Sequence, residues 1–367
     1  MKAVFLSEYP AEDGAPFTGS HLQVHFIARL LSEVCDSTLI AFDYAGRGRE
    51  YREGNLKVRL LRPSRWEVVR LFRVLRAILE EDPRVVYTRG RNYHLIAGLV
   101  AKALRGSLLV WGVNAQEGYR DFKYVRDLMR SRRPLLRKVL LLPMFFLLDL
   151  GVAMGMRASD VVTVQNAPQM EAVKGKFPGK RVFLLPNLQD VPRVEAPSQV
   201  KGPYFVWASA RKGNTKRPED FIRIARSMPY ARFVMVGMEV RGPDSLISFP
   251  RLPRGKLHAV FREALAIVVT SSPESEGIPN VVIEAMLLGV PVVSVGDDFG
   301  FLRRGGGVVV GSVDEAIKVL DRLWKDRDYA SRLSREAREL ANSLFVEGAK
   351  REWTEFWNRL KMEACSP

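Results

Sequence analysis

Apolar residues in this chain fall into two alternating kinds of segment, and the alternation predicts the fold. Short β-branched runs occupy 3–7, 38–42, 84–88, 107–111, 160–164 and 181–185. A second series follows at 204–208, 232–236, 266–270, 292–295 and 307–310. Most are nearly all apolar rather than alternating, as expected of parallel strands covered on both faces. Segments of helical period lie between them. One is predicted to start at Ser64, with Glu67 three residues on at capping-box spacing, and to bury Val68, Leu71, Phe72, Leu75 and Leu79 on one stripe. Strand–helix–strand alternation argues for α/β architecture, here two doubly wound Rossmann-like domains.

A length of 367 residues fits two domains at roughly 150 residues each. The best boundary is 191–203, where Pro192, Pro197, Gly202 and Pro203 interrupt a stretch with neither periodicity. The first domain is therefore expected over 1–190 and the second over 200–344. Near the end of the chain, Ala349, Trp353, Phe356, Trp357 and Leu360 share one helical face, and so much aromatic surface must pack against something.

Composition narrows the partners. Hydrophobic residues make up 47% and charged residues 27%, a globular balance, while the net charge of +16 calls for an anionic partner. Nucleic acid, an anionic membrane surface and a phosphorylated substrate all qualify. Only two cysteines, Cys35 and Cys365, are present, which excludes a disulfide scaffold and a Cys-rich zinc module. The first apolar run is too short for a signal peptide, so a cytoplasmic location is expected. Sparse Asn (nine) and Gln (six) beside abundant Lys, Arg and Glu give a thermophile-like composition. One segment is unusual. Arg120, Lys123, Arg126, Arg130, Arg132, Arg133, Arg137 and Lys138 are followed by an apolar run over 139–156 that contains Pro143, Asp149 and Gly151. A buried core helix, an interfacial helix on anionic lipid and a membrane span are the three readings open to it.

Two clusters carry the candidate chemistry. In the first, the run Ser272-Pro273-Glu274-Ser275-Glu276-Gly277-Ile278-Pro279-Asn280 leaves a predicted strand and opens a helix that holds Glu284. Backbone N–H groups of 277–281 would point out of that helix start, a site suited to phosphate, and Gly277 admits close approach of a ligand. A carboxylate at Glu284 or Glu276 can accept from a vicinal diol such as ribose; alternatively, Glu276 balances a helix dipole and Glu284 is an exposed helical acid. The second cluster, Arg211-Lys212-Gly213-Asn214-Thr215-Lys216-Arg217, concentrates positive charge at the carboxyl end of another strand, where open α/β sheets bind ligands.

Together, Arg211 with Lys216 five residues on, and Glu-Gly-x-Pro-x-x-x-x-Glu-Ala over 276–285, resemble the signature of the retaining GT-B glycosyltransferases, the family-four group (glycosyl transferases group 1). Thr18-Gly19-Ser20, Ala158-Ser159-Asp160, Pro186-Asn187-Leu188-Gln189-Asp190 and Gly289-Val290-Pro291 extend the resemblance along most of the chain. It implies a GT-B fold, two domains facing a cleft, with the terminal helix crossing back so that 345–367 join the first domain. It further implies that Arg211 and Lys216 hold the donor diphosphate, Glu284 the ribose and Glu276 the sugar ring. Gly277, Ile278, Pro279 and Asn280 would assist, and Gly19 and Ser20 would approach the same phosphates. Where many members carry a His after the fifth strand, this chain has Asn114, which leaves Asn114 and His21 as acceptor-side candidates. Leu188 also stands where the family usually has Gly.

His21 and His25 lie four apart without the Glu of a zinc-protease helix, Asp326-Arg327-Asp328 falls in a charged helix, and Gly305-Gly306-Gly307 precedes a strand. None of the three is read as a cofactor or metal motif. The sequence therefore predicts a metal-independent hexosyltransferase that uses a UDP- or GDP-sugar with retention. A glycan or lipid-linked saccharide would be the acceptor, with the protein peripheral on the inner face of a membrane through 120–156. Nucleic acid is not an expected partner. The alternatives are a basic polyanion-binding protein and, on the same fold, a sugar-nucleotide epimerase or a phosphorylase.

Overall fold

The computed structural model describes residues 1–10, 19–44, 46, 48–115, 119–131, 133–194, 197–209, 216–271 and 277–365. The chain divides into two compact units, Met1–Leu185 with Glu352–Pro367, and Pro186–Arg351. Residues 186–190 and 345–351 therefore lie in the second unit, not the first as the sequence predicts. The reason is hydrogen bonding: the Gln189 N–H donates to the Phe345 carbonyl (2.8 Å) and the Asn187 amide to the Ile278 carbonyl (3.1 Å).

The first unit runs β1 (Lys2–Leu6), α1 (Gly19–Leu31), β2 (Asp36–Phe42), β3 (Arg49–Glu53), β4 (Leu56–Leu61), α2 (Glu67–Glu81), β5 (Val85–Arg89) and α3 (His94–Arg105). It continues with β6 (Leu108–Gly112), α4 (Lys123–Arg130), α5 (Leu135–Ala158), β7 (Val161–Val164), α6 (Ala167–Lys176) and β8 (Arg181–Leu184). Its eight-stranded sheet has the order β3-β4-β2-β1-β5-β6-β7-β8, parallel except for the β3–β4 hairpin. That hairpin is missing from the sequence prediction. β4 alternates, with Leu56, Val58 and Leu60 buried between half-buried Lys57 and Arg59, and β3 reads Arg-Glu-Tyr-Arg-Glu. A charged edge strand of this kind resists pairing with another chain and carries no apolar signal.

The prediction for α2 is corrected in two ways. The helix starts at Glu67 behind Trp66 with no side-chain cap, while the Ser64 hydroxyl accepts from the Trp66 N–H instead. Its buried face is Val74, Ala77, Ile78 and Glu81, whereas Phe72 is 66% exposed and Val68 is also exposed. In α5 the structure finds a division. Leu148, Asp149, Val152, Gly155 and Met156 are buried, but Leu135, Leu136, Val139, Leu140 and Leu147 are exposed. Asp149 accepts from Arg91 (2.7 Å) and from the first N–H groups of α4, at Tyr124 (3.1 Å) and Val125 (2.8 Å). Gly155 lets the helix lie against α3, since a Cβ there would stand 2.6 Å from the Leu95 carbonyl oxygen.

The second unit runs β9 (Tyr204–Ala208), α7 (Pro218–Ser227), β10 (Phe233–Val236), β11 (Leu246–Phe249), α8 (Arg254–Arg262), β12 (Ala264–Val269), α9 (Asn280–Leu287), β13 (Val292–Val295), β14 (Gly307–Val310), α10 (Val313–Lys325) and α11 (Arg327–Ala341). Its sheet, β11-β10-β9-β12-β13-β14, is parallel throughout. Period-2 alternation divides the core: Tyr204 and Val206 pack on the α9 side, Phe205 and Trp207 on the α7 and α10 side. A π-helical turn (Asn342–Gly348) joins α11 to α12 (Ala349–Cys365), within which the chain returns to the first unit. There Trp357 stacks on Phe5 (5.7 Å between ring centres), Trp353 meets Tyr87 edge-on (5.9 Å) and Phe356 meets Phe183 (5.0 Å). The aromatic face of the terminal helix is thereby buried.

Candidate functional site

The strand–loop–helix unit β12–α9 sets the first cluster. Its helix starts at Asn280, behind Pro279 in an extended conformation and without a side-chain cap. The first N–H groups of any helix have no acceptor within it, and the Asn280 side chain accepts from the Asn187 amide at 3.4 Å. Gly277, Ile278, Pro279 and Asn280 thus form the described end of the loop, with Ile278 buried against the unit's core. Glu276 and the rest of 272–276 lie outside the described residues, as do Arg211 and the rest of 210–215.

Glu284 is 4% exposed, which overturns the reading of an exposed helical acid. Its Oε1 accepts from Arg254 Nε at 3.2 Å and from the Gln189 amide at 3.4 Å, and its Oε2 lies 3.2 Å from His258 Nε2. Burial pushes the carboxyl pKa up. The His258 hydrogen bond and the Arg254 charge outweigh it, so the group is held below its ordinary value and is ionised. His258 Nδ1 faces the Arg193 carbonyl at 3.4 Å, which fixes the ring's direction. The sequence reading missed Gln189, Arg254 and His258. A signal was available, since Arg254 and His258 are four apart and share the face of α8 that meets α9.

Lys216 lies just before α7, where the backbone turns sharply. Arg217 adopts a left-handed conformation (φ 46°) and pairs with Asp220. Thr270, fully buried at the end of β12, directs its hydroxyl to the Lys216 and Arg217 carbonyls (2.8 and 2.9 Å) and accepts from the Trp207 indole at 3.0 Å. The Lys216 backbone is thus tied to the carboxyl ends of β9 and β12. Neither Thr270 nor Trp207 was distinguishable in sequence from an ordinary core position.

Gly237 supports the same edge of the sheet. A Cβ there would stand 1.7 Å from the Ser209 carbonyl oxygen, at a φ of +112° that L side chains rarely adopt. Ser209 is the last described residue before 210–215. Gly237→Ala is expected to destabilise the second unit by about 3 kcal/mol or more, and a thermal melt checks it; an unchanged melting temperature would refute the close packing.

The remaining candidates belong to the first unit. Gly19 and Ser20 form the first turn of α1, and the Ser20 hydroxyl accepts from the Asn114 amide at 3.2 Å. Close by in the chain, His21 meets the Tyr9 ring edge-on at 5.0 Å. His25 instead pairs with Glu53 at 3.1 Å, Asp326 caps α11 by accepting from the Tyr329 N–H, and Gly306 packs under Ala337. Each of these last three is explained by folding alone.

Known proteins share this fold. Residues 194–340 match the family model described as glycosyl transferases group 1. No curated protein sequence matches the chain. Sucrose-phosphate synthase of Thermosynechococcus elongatus has the same fold, with a TM-score of 0.72 over 99% of each chain at 14% identity. Anabaena Alr3699/HepE, solved in complex with UDP-glucose, aligns at 0.66 over 98% of this chain and 100% of its own, also at 14% identity. A putative UDP-N-acetylglucosamine 2-epimerase of Listeria monocytogenes aligns at 0.62 over 98% of this chain and 97% of its own, at 13% identity.

Proposed function

We propose that this chain, a GT-B protein whose residues 194–340 belong to glycosyl transferases group 1, moves a hexosyl group from a UDP-sugar to a glycan or lipid-linked acceptor. Transfer proceeds with retention and without a metal, at the cytoplasmic face of a membrane. The observation that carries the donor reading is Glu284, an ionised carboxylate buried at the carboxyl edge of a parallel sheet, eight residues after Glu276 in the family's signature. In a group transfer of this kind the diphosphate gathers negative charge as it departs. Arg211, Lys216 and the amides at the start of α9 stabilise that charge more in the transition state than in the ground state. Glu284 receives the ribose hydroxyls, most readily at Oε2, and Glu276 contacts the sugar ring. Departure and attack on one face within a single ion-pair-like state give retention. Asn114 and His21 are the acceptor-side candidates.

The test is calorimetric titration of UDP and GDP into the wild type and Glu284→Gln. UDP binding that is lost in the variant, with the fold intact, is the expected result. Binding of neither nucleotide to the wild type would sink the donor reading and favour a polyanion binder, whose affinity should fall steeply with salt. The Listeria structure supports one second reading, an epimerase on the same fold. Product analysis with and without an acceptor separates the two, since epimerisation needs none.

A further inference from the structure

Helix α5 has the length and composition to cross a membrane, yet it is only partly buried. Its exposed apolar side chains are Leu135, Leu136, Val139, Leu140, Leu142, Phe146, Leu147, Leu150 and Met154. At 100° per residue these fall within one side of the helix, opposite Leu148, Val152, Gly155 and Met156, which face the unit's interior. The stripe is roughly 30 Å long. Phe122, 47% exposed at the start of α4, stacks on Phe146 with 5.8 Å between ring centres and widens it. A contiguous apolar stripe of this size on a folded surface marks something that covers it.

Charge says what that is. Arg120, Lys123, Arg130, Arg133 and Arg137 are exposed beside the amino-terminal end of the stripe, with Arg126 and Lys138 half-buried. Among the described residues of α4 and α5, Asp127 is the exposed acid set against these cations, while Asp121 is paired with Lys176 and Asp149 is buried among Arg91 and the α4 amides. A second copy of the chain docking by this face would bring like charges together, in a protein already at +16. An anionic bilayer surface complements both features, taking the apolar stripe into the acyl boundary and the cations among the headgroups. Spanning is opposed by the same contacts that build the fold. A span would strip Asp149 from its three donors and lift Gly155 off the Leu95 carbonyl.

We infer that α4 and the outer face of α5 are a docking surface for anionic lipid, on which the first unit rests without crossing the bilayer. This extends the proposed membrane-borne acceptor by naming the surface that meets the membrane. The experiment is co-sedimentation of the full chain with phosphatidylcholine vesicles, with and without phosphatidylglycerol. Wild type, Leu140→Glu/Leu147→Glu and Arg130→Glu/Arg133→Glu are compared, each with a thermal melt and its sedimentation behaviour without lipid. The expected result is binding to anionic but not neutral vesicles, lowered at least ~10-fold in either double variant with the melt unchanged. Absence of wild-type binding to anionic vesicles at low salt overturns the inference. So does undiminished binding by Leu140→Glu/Leu147→Glu, which would leave only a polybasic contact. A lipid-free dimer that these glutamates dissociate overturns it too, because a second copy would then cover the stripe. Vesicle binding requires no donor sugar, so a transferase lacking membrane affinity and a membrane binder lacking transferase activity give different results.

Discussion

Replacing Lys216 with alanine is expected to lower turnover at saturating UDP-sugar at least ~100-fold, by analogy with loss of one preorganised donor to a developing oxyanion. The expectation depends on position as well as charge. The Lys216 carbonyl is held by the Thr270 hydroxyl, itself fixed by the Trp207 indole, so the residue starts from a backbone that does not need to reorganise. The side chain is half-buried and takes no part in either core cluster of its unit, so the melting temperature should change little. Steady-state kinetics with Lys216→Ala and Lys216→Arg checks this. Arginine keeps the charge and should restore part of the rate, whereas turnover equal to wild type in the alanine variant would remove Lys216 from the chemistry.

Glu284→Ala should lower stability by about 3 kcal/mol, because it leaves the Arg254 guanidinium, the His258 ring and the Gln189 amide facing an empty site. In a unit of this size that is roughly a 10 °C fall in melting temperature. Glu284→Gln preserves the volume and an acceptor oxygen, and should lose less. The pH dependence follows from the direction of the shift. The folded carboxyl titrates below the ordinary 4.5, so the unfolded chain takes up its proton first as the solution is acidified. The stabilisation by Glu284 is therefore complete above that value and is lost as pH falls through the folded pKa. Melts of wild type and Glu284→Gln should differ most near neutrality and converge in acid. A gap that persists well below 4.5 would show that the carboxylate's charge is not what stabilises the unit. This structural role also makes the glutamine variant the cleaner probe of nucleotide binding, since the alanine variant confounds binding with folding.

Sequence alone determined the features that depend on neighbours along the chain. Runs such as 204–208 and 292–295 are apolar on both faces, which only a covered parallel strand tolerates, and they lie where the structure has β9 and β13. The aromatic face of α12 was legible for the same reason, because a helix imposes its period locally, while the spacing from Glu276 to Glu284 was legible as a resemblance to the family's signature. Elements whose partners are distant in sequence were not. β3 is charged and becomes a strand only by pairing with β4. Val68 and Phe72 have the right period to be buried, but the sheet takes Val74, Ala77 and Ile78 instead.

The candidate site divides in the same way. Glu284 is identifiable by motif, but that it is buried and yet held ionised follows from His258, 26 residues away, and Arg254, 30 residues away. Likewise, α5 reads as apolar all round in sequence. Tertiary packing alone decided which side of it faces the core, by seating Gly155 on α3 and drawing Asp149 into the interior with Arg91 and the start of α4. Periodicity records that a face is apolar, whereas what covers that face depends on contacts between segments far apart in the chain.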